Sequence, residues 1–249
     1  WGSLYDALYG TNVLGEMPQS KNYDSERGNK VINYAKSHLD KFAPLKNAKW
    51  SNITSIKLKV NDIILKSKDN SDINFENKNQ IIGWRLYKNS DLKELILLKN
   101  NLHCRILINA DDSIGKNDPA NISDIQVESA ISTILDCEDS VSTVDADDKI
   151  LAYRNWLGLV KGDLETNFKK NNQIIKRVLN KDIKFISIDN KQQILKGRSL
   201  MLIRNVGHLM TTPAILSKDN KEIGEGIMDA VITTLIATHD FIKQENKNS

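Results

Sequence analysis

Apolar residues in about the first 110 positions follow two different spacings, and each spacing predicts a different kind of element. Between Asp24 and Phe42 they recur at helical intervals, which predicts a helix that ends before Pro44. From Ile56 to Val60 they alternate with basic residues, which predicts a half-buried strand. This part of the chain is therefore predicted to be α+β with an antiparallel sheet. Further elements predicted here are a short helix at 3–9, strands at 63–65, 81–86, 94–98 and 103–108, and a hairpin turn at 100–101.

The rest of the chain reads as strands alternating with helices. Ser123 and Gln126 have the spacing of a capping box, which predicts a helix that runs to about Ala130. Asp145 is followed by acidic residues, which predicts the N-terminal cap of another helix. Together with the first part, this pattern indicates a parallel α/β barrel interrupted by an antiparallel module. The predicted strands are 132–137, 184–188 and 200–203, and the predicted helices are 146–157 and 227–236.

Composition excludes several classes of protein. The chain has 249 residues, of which 40% are hydrophobic and 27% charged, so it is predicted to be soluble and to bury a sizeable core. Its 35 basic and 32 acidic residues give a net charge of +3, which is too balanced to predict binding to nucleic acid. No apolar run approaches the length of a membrane span. Cys104 and Cys137 form neither a disulfide framework nor a zinc motif, which favours a reducing cytoplasm.

Three acidic residues follow the apolar strand that ends near position 137. They are Asp136, Glu138 and Asp139, and a solvated surface is as good an interpretation of them as a site. If the strand continued, Asp136 and Glu138 would lie on one side and Asp139 on the other. Two carboxylates on the same side suit a hard cation, held directly or through bound water. The sequence therefore leaves both readings open.

Arg204 ends the other apolar strand of this region. A guanidinium at a strand end offers a planar fork to a carboxylate, either of a substrate or of one of the nearby acids, and the two roles are compatible. His208 is a candidate ligand or base, although a packed, hydrogen-bonded histidine is the commoner case. Cys137 lies among acidic residues, which predicts a raised pKa and a poor nucleophile. Arg204 is thus the strongest single candidate.

Five stretches around these positions resemble malate synthase G, and the resemblance runs from Trp1 to about Asp240. It implies a fold of class α/β: a partial (β/α)8 TIM barrel with an inserted α+β module that contains antiparallel strands. The module is expected at 1–128 and 162–198, and barrel segments at 129–161 and 199–249. The stretches that carry the resemblance are 4–10, 131–141, 144–146, 153–155 and 197–211.

The resemblance also implies an activity and roles for particular residues. The expected reaction is the magnesium-assisted condensation of acetyl-CoA with glyoxylate and water to malate and CoA, in the glyoxylate bypass. Arg204 is expected to bind glyoxylate and to stabilise the developing enolate oxygen, while Ser140 and Arg177 are expected to contact acetyl-CoA. Asp136 and Glu138 are expected to hold magnesium-bound waters and not the metal itself. A cytoplasmic enzyme that is monomeric at full length and binds neither nucleic acid nor membrane is expected.

By the same resemblance, this chain is expected to be a fragment. The family's N-terminal clasp, first barrel strand, later barrel strands and C-terminal domain are not expected within it. No direct magnesium ligand is expected in this chain either, because those ligands and the catalytic aspartate would lie downstream. The chain alone is therefore predicted to be inactive, since a few barrel strands cannot close a barrel. The alternatives are a related magnesium-dependent acyl-CoA lyase and a stand-alone binding module without catalysis.

Overall fold

The computed structural model describes residues 1–17, 22–138, 142–170 and 173–248. Its helices are α1 (Leu4–Tyr9), α2 (Ser25–Phe42), α3 (Ala146–Lys161) and α4 (Glu225–Asn248). The strands are β1 (Gly2–Ser3), β2 (Ile53–Lys59), β3 (Asp62–Ser67), β4 (Asp72–Ile73), β5 (Ile81–Leu86), β6 (Leu92–Lys99), β7 (Leu102–Ile108), β8 (Ile122–Val127), β9 (Ser132–Asp136), β10 (Glu165–Lys170), β11 (Gln173–Val178), β12 (Ile183–Ser187), β13 (Gln192–Leu195), β14 (Leu200–Arg204), β15 (Thr211–Leu216) and β16 (Glu222–Gly224).

The chain divides into two compact units, each built from two separate segments. The first unit comprises Trp1–Ala130 and Asp182–Gly197, and the second comprises Ile131–Lys181 and Arg198–Ser249. The segment 162–198, which was predicted for the inserted module, is thus divided between the two units. Its residues up to Lys181 belong to the second unit, and Asp182–Gly197 belongs to the first. Compact units need not coincide with the domains of a family, so the domain boundaries stay a prediction. These boundaries are 1–128, 129–161, 162–198 and 199–249.

The first unit is built on a seven-stranded sheet in the order β1-β8-β7-β6-β5-β12-β13, in which every neighbouring pair is antiparallel. The predicted hairpin between β6 and β7 is confirmed. Asn100 and Asn101 have φ angles of 52° and 60°, which only glycine and asparagine adopt readily and which a tight two-residue hairpin needs. β12 and β13 belong to the later segment of the chain and extend the sheet beyond β5.

Both faces of this sheet bury apolar side chains. In β6, Leu95 and Leu97 join a large cluster that includes Ala35 and Leu39 of α2. Ile96 points to the other face, where it packs with Phe185 of β12 and with Leu195. A strand buried on both sides needs apolar residues at successive positions, which explains the unbroken apolar run of β6. The later segment that forms β12 and β13 therefore contributes apolar core as well as backbone pairing.

A buried ion pair fixes the loop before β8. Lys36 Nζ of α2 lies 2.5 Å from Asp118 Oδ2, and both side chains are almost fully buried. Asp118 Oδ1 also accepts a hydrogen bond of 2.8 Å from Ala120 N. Because this acid is paired and buried, it orders the loop and ties it to α2.

The helix predicted from Ser123 to about Ala130 is wrong, because residues 123–127 belong to strand β8 and 128–130 form no helix. The two residues that resemble a capping box bond across the sheet instead. Ser123 Oγ donates to Leu107 O at 3.3 Å, and Arg105 Nη1 donates to Gln126 Oε1 at 2.6 Å. The β-branched side chains of β8 suit a pleated surface, and pairing with β7 outweighs the local signal.

In the described residues of the second unit there are three two-stranded sheets and two helices that contact each other, α3 and α4. β9 and β14 form a parallel pair, whereas β10–β11 and β15–β16 are antiparallel hairpins. A mixed α/β fold with antiparallel sheets is therefore confirmed, and a partial barrel remains a proposal. The hairpin β15–β16 was not predicted. Within the described part of the chain, no helix is long and apolar enough to cross a membrane.

Candidate functional site

Asp136 and Arg204 lie opposite each other at the carboxyl ends of the parallel strands β9 and β14. Arg204 Nε donates to Asp136 Oδ1 at 2.8 Å, and Arg204 Nη2 donates to Asp136 Oδ2 at 2.5 Å. The backbone continues this register, since Cys137 N donates to Arg204 O at 2.8 Å. The planar guanidinium thus holds both carboxylate oxygens, which is the strongest geometry for an ion pair of this type.

Each partner of this pair shifts the pKa of the other. The hydrogen bond from Arg204 lowers the pKa of the Asp136 carboxyl, and the same bond raises the pKa of the Arg204 guanidinium. Both groups are therefore charged at neutral pH. The Arg204 side chain remains 51% exposed. Because the guanidinium carries more N–H donors than Asp136 uses, it can hold Asp136 and still donate to an anion from solvent.

Glu138 lies two residues beyond the end of β9. Its backbone N donates to Asp136 Oδ1 at 3.0 Å, and its carbonyl accepts from Ser142 N at 3.0 Å. Because the strand ends at Asp136, the alternation of a strand does not decide on which side Glu138 lies. Ser142 Oγ also donates to Asp136 O at 2.6 Å, which ties Ser142 to the strand end. Two candidates of the acidic run, Asp139 and Ser140, lie outside the described residues.

A buried carboxylate on α4, Asp229, connects the end of β14 to α3. Asp229 Oδ2 accepts a hydrogen bond of 2.8 Å from Val206 N and lies 3.2 Å from Lys149 Nζ. Asp229 Oδ1 accepts a hydrogen bond from Tyr153 OH. Burial, followed by this bond, raises the pKa of Tyr153, so its hydroxyl stays a donor. Asp229 itself is fully buried.

The ammonium group of Lys149 connects the end of β9 to the same network. Lys149 Nζ donates to Cys137 O at 2.7 Å and lies 2.6 Å from Glu225 Oε1. Burial lowers the pKa of Lys149, but the hydrogen bonds to Glu225 and Asp229 outweigh burial and raise it above its ordinary value. Lys149 is therefore charged at neutral pH, and it joins α3, α4 and the end of β9.

The sequence prediction missed this network, although α4 carries a signal for it. Glu225, Asp229 and Thr233 are spaced four residues apart, which places three polar side chains on one stripe of an amphipathic helix. Thr233 Oγ1 donates to Asp229 O at 2.8 Å. The signal is weak, because a polar stripe of an amphipathic helix ordinarily faces solvent, and nothing in the spacing identifies Lys149 as a buried partner.

Two other predicted site residues lie elsewhere in the second unit. Arg177 belongs to the exposed hairpin β10–β11, where its guanidinium lies 4.8 Å from the centroid of the Phe168 ring. His208 is exposed in the segment between β14 and β15, so the interpretation of it as a packed histidine is wrong. The structure therefore brings together Asp136 and Arg204 and leaves Arg177 on a separate sheet.

The described residues do not provide a metal site by themselves. Within 1–17, 22–138, 142–170 and 173–248, no three His, Cys, Asp or Glu side chains are grouped so that they could hold an ion. Both oxygens of Asp136 accept hydrogen bonds from Arg204, which leaves this carboxylate badly placed as a direct ligand. The donor set of the described residues does not fit a magnesium ion that these residues would hold directly.

Cys137 is buried and lies between Asp136 and Glu138 along the chain. Burial raises the pKa of its thiol to about 11, and the neighbouring Asp229 raises it further than Asp136 does. The prediction of a raised pKa is thus confirmed, although the main cause is burial and not the acidic run. Burial likewise raises the pKa of Cys104 to about 12.

Both thiols are therefore expected to resist modification in the folded chain. At pH 8 neither forms an appreciable amount of thiolate, and both are fully buried, so Ellman's reagent should label them only when guanidinium chloride unfolds the protein. Since the folded pKa of Cys137 lies above the ordinary value of 9.0, its contribution to stability is present below pH 9 and is lost as the pH rises toward about 11. Rapid labelling of either cysteine at pH 8 without denaturant would contradict this.

Comparison with known proteins connects both units to one family. Residues 23–100 match the family model described as the alpha-beta insertion domain of malate synthase G. A malate synthase G of Halalkalibacterium halodurans is 42% identical over 246 residues, which is 98% of this chain and 34% of that protein. Malate synthase G proteins of Corynebacterium glutamicum and Corynebacterium efficiens are 44% and 43% identical, over 95% and 100% of this chain and 32% and 33% of their own lengths.

The similarity covers almost the whole chain but only part of each relative. The chain spans about a third of the length of the curated relatives it matches. At 42–44% identity over this length, the chain is similar to a segment of malate synthase G, and the matched part of this chain includes Asp136 and Arg204 as well as residues 23–100.

Proposed function

We propose, from the similarity of nearly the whole chain to a segment of malate synthase G, that it supplies part of the active site of a malate synthase. This enzyme would condense acetyl-CoA with glyoxylate and water to malate and CoA, as an acyltransferase of the glyoxylate bypass. The observation that carries the proposal is the bidentate Asp136–Arg204 pair at the carboxyl ends of two parallel strands. In open and closed parallel sheets alike, that edge is where active sites lie.

Arg204 is the residue that we assign to the chemistry. Its guanidinium is held in one orientation by Asp136 and is half-exposed, so its remaining N–H groups can donate to the carboxylate of glyoxylate. The same donors can stabilise negative charge that develops on an enolate oxygen during the condensation. A charged fork that is already oriented needs little rearrangement when the charge develops.

Magnesium enters the proposal only as a cofactor of the complete protein. The described residues do not fit it directly, and we propose that its ligands lie outside this chain. Asp136 and Glu138 would then hold metal-bound waters, because they lie at the end of β9 and just beyond it.

Acetyl-CoA is the second proposed substrate, with Ser140 and Arg177 as its contacts. Arg177 is exposed and lies against the Phe168 ring, which keeps a cation and an aromatic face together on one hairpin. Such a pair suits the phosphates and the adenine of a nucleotide. We propose that the enzyme is cytoplasmic, in keeping with two free cysteines. We also propose that it is monomeric at full length.

The arrangement of the second unit supports a partial (β/α)8 barrel. β9 is followed along the chain by α3, and β14 is followed by the hairpin β15–β16 and then by α4, while β9 and β14 pair in parallel. Strand–helix units with parallel strands are the repeat from which such barrels are built. We propose that these are two of the eight strands, and that the first unit belongs to the inserted module.

The proposal is tested by assaying the complete gene product and the 249-residue chain side by side. With acetyl-CoA, glyoxylate and Mg²⁺, the complete product is expected to release CoA and form malate. The chain alone is expected to release none above the blank, because two parallel strands cannot close a barrel.

Each arm of this assay has an outcome that overturns part of the proposal. Cleavage of malyl-CoA without net synthesis of malate by the complete product would identify an acyl-CoA lyase. Turnover by the chain alone would show that the missing fraction of the relatives' length is not needed. Omission of glyoxylate is the control for simple hydrolysis of acetyl-CoA.

A further inference from the structure

One network of buried polar groups, from α3 and α4, holds the ends of β9 and β14. Lys149 Nζ donates to Cys137 O, which directly follows Asp136. Asp229 Oδ2 accepts from Val206 N, which follows Arg204 by two residues. Lys149 and Asp229 then meet at 3.2 Å. A continuous chain of hydrogen bonds thus runs from one strand end to the other.

This network fixes the two residues of the surface pair relative to each other. The ladder between β9 and β14 ends at Asp136 and Arg204, and just beyond it the hydrogen bond from Cys137 N to Arg204 O joins the two strand ends. Lys149 and Asp229 hold the backbone just past that point on each strand. A bidentate ion pair needs both side chains in one plane, so a small shift of either strand end would break one of its two bonds.

The composition of the network also points to a role beyond packing. Asp229 is fully buried and Lys149 is 5% exposed, so both groups have lost their hydration. Well-packed apolar residues often stabilise a protein as much as a buried ion pair does. A buried pair that bonds to backbone at two strand ends, however, imposes a geometry that apolar side chains cannot impose. The specific benefit therefore lies in direction and distance.

We propose that Asp229 and Lys149 are positioning residues that hold Arg204 and Asp136 in register for the reaction at the strand ends. The proposal rests on the proposed function for its kinetic readout, but its geometric readout is independent of it. Neither residue touches the exposed pair, so each acts through the backbone of Val206 or Cys137.

The main test is Asp229→Asn in the complete gene product. Asparagine keeps the size of the side chain but replaces one acceptor oxygen by an NH₂ group, so a bond to Val206 N, Lys149 or Tyr153 is lost. We expect kcat to fall about 10–100-fold while KM for acetyl-CoA changes less than about 3-fold. Asp219→Asn, the same change in the exposed turn between β15 and β16, is the matched control and should leave kcat unchanged.

Two further readouts separate positioning from general destabilisation. In protein labelled with ¹⁵N-arginine, the Nε–H signal of Arg204 should shift in Asp229→Asn and not in Asp219→Asn, because its bond to Asp136 changes. In an Arg204→Lys background, Asp229→Asn should cost less than about 3-fold in kcat, since residues that act through one another are not additive. Equal losses in both backgrounds, or an unshifted Nε–H signal, would overturn the proposal.

A milder variant keeps the test decisive if Asp229→Asn does not fold. Tyr153→Phe removes one hydrogen bond to Asp229 and leaves the ring in place. We expect a loss in kcat of about 2–5-fold with the same non-additivity and the same shift of the Arg204 signal. If the unaltered gene product forms no malate, the proposed function fails. The Nε–H signal alone then decides whether Asp229 positions Arg204.

Discussion

Arg204→Lys is expected to lower the kcat of the complete gene product for malate formation about 10²–10³-fold, while the protein stays folded. The guanidinium uses Nε and Nη2 to hold both oxygens of Asp136, at 2.8 and 2.5 Å. A lysine ammonium keeps the charge but is a single donor point on a flexible stem, so it cannot bond both oxygens and also present oriented donors to a substrate. Steady-state kinetics with acetyl-CoA and glyoxylate measures the loss, and circular dichroism checks the fold.

The same variant has a consequence for pH that can be measured separately. The hydrogen bond from Arg204 lowers the pKa of Asp136 in the folded protein. The stabilisation from this bond is therefore present above the unfolded pKa of the carboxyl and is lost as the pH falls through the folded pKa. With the fork removed, the pKa of Asp136 should rise toward its ordinary value of 3.8. A titration of the Asp136 carboxyl carbon by NMR should show the upward shift.

Arg154→Lys is the matched control for this prediction. Arg154 is an exposed arginine of α3, and the same substitution there should change kcat by less than about 2-fold. Near-normal turnover in Arg204→Lys would mean that the Asp136–Arg204 pair is only structural. The assignment of Arg204 to the chemistry would then be withdrawn, whereas the similarity to malate synthase G would stand.

The largest effect on folding is expected from Gly83→Ala in the first unit. Gly83 lies in β5, opposite Ser187 of β12. A Cβ added at Gly83 would lie 2.2 Å from Ile186 O and 2.6 Å from Phe185 Cδ2, which is closer than real atoms pack. The strands must separate to admit the methyl group, so we expect the free energy of unfolding to fall by about 2–3 kcal/mol.

Hydrogen exchange locates this effect, because the added Cβ would collide with Ile186 and Phe185 of β12, whereas Gly83 pairs with Ile96 of β6 on its other side. β12 and β13 should exchange faster in Gly83→Ala, whereas β6 and β7 should change little. Gly207→Ala is the control, since its added Cβ would meet no atom within 4 Å. Uniform loss of protection from hydrogen exchange across the whole sheet would mean instead that the methyl group disrupts the core and not the attachment of β12 and β13.

Local signals in the sequence predicted most elements of the fold correctly. Helix α2 begins after Asp24, whose side chain accepts from Arg27 N at 3.1 Å, and the two asparagines at 100–101 form the expected turn. The failure at β8 has a clear cause, because Ser123 and Gln126 carry a helix-start signal only if their partners are local. In the structure their partners are Leu107 and Arg105, on a strand that was itself predicted.

The candidate site was predicted in part for a similar reason. Asp136 and Arg204 each end an apolar strand, and strand ends can be recognised along the chain. Lys149 and Asp229 could not be recognised as a pair, because eighty positions separate them and each lies among residues of an ordinary amphipathic helix. Burial of a charge is a property of the packed structure and leaves no mark on the residue itself.

By itself, the sequence determined where apolar runs become strands, where helices begin, and which strand ends carry an acid or an arginine. These features follow from spacing, capping and turn chemistry, which act over a few residues. Only the tertiary structure decided that β9 and β14 pair in parallel and in register, so that Asp136 meets Arg204, and that Lys149 and Asp229 hold both strand ends. The physical reason is that hydrogen bonds and ion pairs depend on distance in space, which the order of residues does not specify.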